Sequence, residues 1–141
     1  MAGRFVIDAS VAAKFYFAEE GCDLAAAALR ESDTLIAPDL LFVEMASIAA
    51  KKVRRGLASK EESARAVLSI GKILEEIVPS YGLAQEAFNL AAEHGFSAYD
   101  GTYIALAEAR RCQVLTADLR LVRRARQVGL SELLVSLVPT E

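Results

Sequence analysis

The feature that most narrows the possible folds is a recurring junction, in which a short, mainly apolar run stops and helical periodicity starts at once. Arg4–Ile7 ends at Asp8 and passes directly into SVAAKFYF, while Thr34–Ala37 runs into Pro38 and Gln113–Thr116 is followed closely by Asp118. Runs of this length read as strands, and runs that are apolar throughout rather than alternating belong to sheets covered on both faces. Helical patterns separate them. These cover Gly21–Glu31, Pro38 to about Arg55 with Gly56 as the stop, and Ser59 to about Glu76, opened by a Ser-x-x-Glu capping box. Leu83–His94, Ala98–Arg111 and Leu119–Val128 continue the series, and Ile77–Val78 and Leu133–Val138 bring the strands to about five. The expectation is an α/β fold of three layers, a central parallel sheet with helices on both faces. With 141 residues, 54% of them hydrophobic, and no linker or repeat, a single domain over residues 1–141 is expected.

The acidic residues divide into two groups on this scaffold. Glu19, Glu20, Glu31, Asp33, Glu61, Glu62, Glu75 and Glu76 lie among polar neighbours or at helix ends. Asp39, beside Pro38, reads as a first-turn acid. Four others are set directly against apolar sequence: Asp8 in FVIDAS, Glu44 in LLFVEMAS, Asp100 in FSAYDGTYIALA and Asp118 in VLTADLRL. Asp8 and Asp118 follow strands, at the carboxyl edge where parallel sheets bind ligands, and right-handed crossovers return both strands to that edge. Asp8 and Asp118 can each serve as an N-cap, and Ser97–Asp100 has capping-box spacing. Glu44 has no such local explanation. Its helical neighbours at three and four residues are Leu40, Leu41, Ser47 and Ile48, none of them basic.

A carboxylate with no partner costs several kcal/mol to bury, so something outside the helix must compensate Glu44. Four acids that converge cannot all ionise without counter-charge. Either a proton is retained or a hard dication binds, and an all-oxygen donor set suits Mg²⁺ or Mn²⁺. The chemistry that fits is metal-assisted attack of water on a phosphodiester. Other classes fit less well. A single histidine, His94, and two distant cysteines, Cys22 and Cys112, leave no zinc cage of His and Cys. His94 precedes Gly95 and reads as a helix C-terminal residue rather than part of a Ser-His-Asp triad. An aspartate-nucleophile phosphatase built on Asp8 would lack the second acid of an Asp-x-Asp pair and leave Glu44 unexplained. A catalytically silent binding module that keeps the fold is the alternative, and the four acids count against it.

The chain resembles the PIN domain family, and within it the VapC-type toxins of toxin–antitoxin pairs, in four motifs that occur in order. VIDASV is similar to the first, with Asp8; PDLLFVEMASIAA to the second, with Glu44; SAYDGTYIALA to the third, with Asp100 and Tyr103; and LTADLRL to the fourth, with Thr116 and Asp118. Ser47 stands where an Asn is common, and Leu121 where some relatives carry a further acid. The resemblance implies a Mg²⁺- or Mn²⁺-dependent endoribonuclease with metal on Asp8, Asp100 and Asp118. Glu44 would act directly or through water, and Ser10 and Thr116 would orient the carboxylates. It also implies a homodimer and a small VapB-like antitoxin that blocks the cleft.

The net charge of −3 conceals an uneven distribution. Arg110, Arg111, Arg120, Arg123, Arg124 and Arg126 surround Asp118 in sequence, and Arg120, Arg123 and Arg124 are the expected contacts to RNA phosphate. Lys51, Lys52, Arg54 and Arg55 read instead as solvated charge at a helix C-terminus. The aromatic run Phe15–Phe17 and the Ala-rich helix from Asp23 are the expected apolar handle for an antitoxin. No apolar run approaches the ~20 residues of a membrane span, nor does the N-terminus read as a signal peptide. The cysteines read as reduced core thiols, and the expected location is the cytoplasm.

Overall fold

The three apolar runs that announce themselves in the sequence become the middle of one parallel sheet. The computed structural model describes residues 3–17, 20–32 and 34–137. In chain order the elements are β1 (Arg4–Ile7), α1 (Ala9–Tyr16), α2 (Cys22–Glu31), β2 (Thr34–Pro38), α3 (Leu40–Arg54) and α4 (Lys60–Ser69), then β3 (Glu76–Val78) and α5 (Ala84–His94). They continue with α6 (Ala98–Arg110), β4 (Gln113–Thr116), α7 (Leu119–Gln127) and β5 (Leu134–Ser136). The sheet order is β3-β2-β1-β4-β5, with every neighbouring pair parallel. The direction of winding therefore reverses between β1 and β4, which opens a crevice at their carboxyl ends.

Burial follows from this order. After its first residue each of β1, β2 and β4 is buried throughout, whereas the edge strands β3 and β5 are half-exposed. Helices α1 and α3 pack against the sheet and each other, while α6 lies across β1, β2 and β4 with α5 behind it. Right-handed crossovers put α1–α4 and α5–α7 on opposite faces, the expected three layers. Val6, Ile7, Ile36, Leu41, Met45, Ile104, Leu106, Val114 and Leu115 form the centre of the core. Helix α6 is buried from Gly101 through Ala107, as a helix enclosed on all sides must be.

Several local expectations need correction. The helix from Ser59 stops at Ser69, because the chain tightens into a 3₁₀ turn over Ile70–Ile73, where Gly71 packs against the Phe42 ring. That turn lets the Glu75 N–H bond Leu35 O at 2.8 Å and start the β3 edge. Pro38 closes β2 rather than opening α3. Asp39 is not a first-turn charge: its carboxylate accepts from the N–H and hydroxyl of Ser80, pinning the end of β3. Both cysteines are free and half-buried, and Cys112 packs against the core whereas Cys22 does not belong to it. The aromatic run is no exposed handle either. Phe17 is in the core, Tyr16 donates to Ser69 O at 3.1 Å, and Phe15 alone of the three is exposed. Glu19, Asp33 and Val138 lie outside the described residues. No helix among the described residues is long and apolar enough to cross a membrane.

Candidate active site

Asp8 is fixed by three donors at the end of the central strand. It caps α1, its Oδ1 accepting the Val11 N–H at 3.1 Å. The Ser10 hydroxyl donates to the same oxygen at 2.5 Å, and Thr116 Oγ1 donates to Oδ2 at 2.5 Å. Each hydroxyl then takes a backbone N–H of the turn after β4. Ala117 N–H donates to Ser10 Oγ at 2.9 Å and Asp118 N–H to Thr116 Oγ1 at 3.1 Å. Ser10 and Thr116 thus orient Asp8 and lock the β4–α7 turn against it. Asp118 in turn caps α7, accepting from the N–H groups of Arg120 and Leu121.

The other two acids come from α3 and α6. Ser97 caps α6 by accepting the Asp100 N–H at 3.0 Å, which leaves the Asp100 carboxylate in the first turn. A carboxylate at a helix start can be cap and ligand at once, and the geometry makes Asp8 and Asp118 caps with the four acids in electrostatic reach of one another. Glu44, half-buried on α3, accepts a hydrogen bond from the Tyr103 hydroxyl at 2.6 Å. The compensation for Glu44 inside the chain is therefore a neutral phenol, not a cation. Tyr103 is buried, and burial together with the Glu44 charge raises its pKa, so it stays a donor.

Electrostatics show that the four acids sense one another. Burial pushes the Asp8 carboxyl up to about 6 against the pull of its hydrogen bonds to Ser10, Thr116 and Val11, and the Asp100 charge adds to the rise. Asp100 is also pushed up to about 6, first by burial and then by Asp118 and Glu44, with Ser97 and Arg120 pulling it down. Glu44 is raised by burial and by Asp118, against the Tyr103 hydrogen bond. No group of three His, Cys, Asp or Glu side chains among the described residues closes into a ligand cage. The donor chemistry nonetheless fits a hard dication, because the set is all carboxylate and gathers negative charge that a cation would offset.

Arg120 and Arg124 line a cleft of about 320 Å³ with Asp100 and Asp118. Arg123 is not among its lining residues, and Arg110 is committed elsewhere, its guanidinium gripping both oxygens of Glu76 on β3. His94 lies at the end of α5, 3.9 Å from Glu93 and apart from these acids.

The sequence pattern of the PIN domain matches residues 5–127. The chain belongs to the PIN domain family. It is 33% identical over 123 residues to Ribonuclease VapC3 of Pyrobaculum aerophilum, covering 86% of this chain and 94% of that protein. Among solved structures, Pyrobaculum aerophilum PAE2754 superposes with a TM-score of 0.71 at 19% identity, over 97% of this chain and 92% of that one. A toxin–antitoxin complex from Klebsiella pneumoniae gives 0.70 at 13% identity, over 96% and 99%. At such identities the structural matches speak for the PIN fold. The sequence motif named Tyr103 without a role, and the structure supplies it in the hydrogen bond to Glu44, 59 positions away.

Proposed function

We propose that this PIN domain is a Mg²⁺- or Mn²⁺-dependent endoribonuclease and the toxin of a toxin–antitoxin pair. The observation that carries the reading is the mutual electrostatic coupling of Asp8, Glu44, Asp100 and Asp118 at the sheet's switch point, and the ribonuclease relative at 33% identity supplies the reaction class. Asp8, Asp100 and Asp118 would hold the metal, with Glu44 reaching it directly or through water. A bound dication there supplies a nucleophilic water of lowered pKa and charge stabilisation for the departing oxyanion. The chain's own residues do the rest. Ser10 and Thr116 keep Asp8 in one orientation, Tyr103 keeps Glu44 in one, and Arg120 and Arg124 offer charge to the substrate phosphates.

A phospho-aspartate mechanism at Asp8 would leave Glu44 and its Tyr103 hydrogen bond without a role. The deciding experiment is cleavage of RNA with Mg²⁺, with EDTA, and with Asp8→Asn. Cleavage should need the metal and be lost in the variant, whereas metal-independent cleavage or an active variant would refute the site. A free ribonuclease harms its host, so an inhibitor is expected: a small VapB-like antitoxin presenting an Arg or Lys to the acids. The apolar groove of about 580 Å³ between α3 and α4, walled by Ala46, Ala49, Val53, Val67 and Leu68, offers it a seat. A homodimer and a cytoplasmic location complete the proposal.

A further inference from the structure

The basic run at the end of α3 looks in the sequence like charge placed to satisfy a helix C-terminus, but the fold gives it a second setting. Lys51, Lys52 and Arg55 share a cleft of about 380 Å³ with Lys14 of α1 and with Asp118 and Arg120. Five cations from three parts of the chain thus face one space in which Asp118 is the single acid among the described lining residues. Helix-dipole stabilisation accounts for Lys51 and Lys52 at the end of α3 and for Lys14 in the last turn of α1, but not for Arg120, which stands at the start of α7. Gathering like charges costs free energy, and in a chain of net charge −3 nothing in the overall balance requires it. Two of the cations are also held in place. Lys14 Nζ donates to Glu20 O at 2.6 Å, and Lys52 Nζ lies 5.1 Å over the Phe17 ring.

We propose that this cleft is a phosphate-binding subsite for the single-stranded RNA that the acids cleave. The inference rests on the nuclease reading and extends it. Asp118 and Arg120 line both this cleft and the one that contains Asp100 and Arg124, so a strand crossing the acids has basic ground on either side. Ile48 and Leu57 add apolar wall, against which sugar and base can pack while the phosphates face the cations. Cations alone read charge and not sequence, so the subsite anchors the strand without selecting it.

The test uses Asp8→Asn protein, to allow binding without turnover, and a mixed-sequence single-stranded RNA. Lys51→Gln with Arg55→Gln removes two exposed cations from the cleft. Arg54→Gln with Lys60→Gln removes the same charge from the neighbouring α3–α4 groove. The slope of log affinity against log salt should flatten by about 1.4 in the first pair, two phosphate contacts at ~0.7 each, and stay unchanged in the second. Melting temperatures should match in both, and Lys51→Arg with Arg55→Lys should restore the slope. Equal flattening in both pairs, or none in the first, would overturn the subsite while wild-type cleavage of RNA stands. Wild-type protein that neither binds nor cleaves RNA would instead remove the nuclease reading and the subsite with it.

Discussion

Glu44 sits on a helix whose own side chains cannot support it, and its support comes from the Tyr103 hydroxyl across the core. This makes opposite demands on the two residues. Tyr103→Phe keeps the ring but leaves Glu44 without that donor, and should cost about 1–2 kcal/mol in urea unfolding. Glu44→Gln keeps an oxygen for Tyr103 and removes a like charge beside Asp100 and Asp118, so metal-free stability should hold or rise while RNA cleavage falls by orders of magnitude. A loss of ~3 kcal/mol or more in Glu44→Gln would reveal a buried cationic partner and defeat this account. Asp100→Asn should behave similarly in the metal-free state. In thermal melts Mn²⁺ should raise the transition of the wild type and not of this variant, because a ligand that binds only the native state stabilises it. The sequence exposed Glu44 as anomalous because nothing local could pair with it. The third motif singled out Tyr103, but nothing tied it to Glu44, since a contact between distant helices leaves no periodicity behind.

At the scale of elements, helices bring the acids together, and their starts were the legible part. Asp8, Ser97 and Asp118 cap α1, α6 and α7 at the spacings visible in the sequence. The central strands were equally plain, because burial on both faces demands unbroken apolar runs. The edge strand β3 was legible only as the apolar pair Ile77–Val78, and the end of α4 was not, since a 3₁₀ turn differs from a helix only in its last hydrogen bonds. One packing contact also escaped. A Cβ on Gly101 would lie 2.9 Å from Ala87 O and 3.2 Å from Ala87 Cα, so α5 and α6 approach there as closely as their backbones allow. Gly101→Ala should therefore lower stability by about 1–3 kcal/mol by chemical denaturation, despite the better helix propensity of Ala. The displaced α6 should also weaken the Mn²⁺ response, because Asp100 is the adjacent residue.

For the whole molecule, the raised carboxyls couple folding to pH. Asp8 and Asp100 stand at about 6 in the fold against 3.8 for an ordinary aspartate, so between those values the native state holds protons that the unfolded chain has released. The stability that protonation provides is complete below 3.8 and lost as pH rises through about 6. For the buried Asp8 the difference is on the order of 3 kcal/mol. Unfolding free energies of metal-free protein should fall across this window, and Asp100→Asn should flatten the fall, whereas identical pH profiles would show that the acids are not coupled. The position of β1 at the centre of the sheet has a further consequence, for how the protein is made. Its partners are β2, which follows closely, and β4, whose Thr116 closes on Asp8 from 108 residues away. A chain on the ribosome that has not yet reached Gln113 owns Asp8 and Glu44 but has β1 as a bare sheet edge, with no hydroxyl from Thr116 and no Asp118. The site is thus absent from every nascent chain that stops short of β4, and it assembles only after the strand that carries Thr116 has been made.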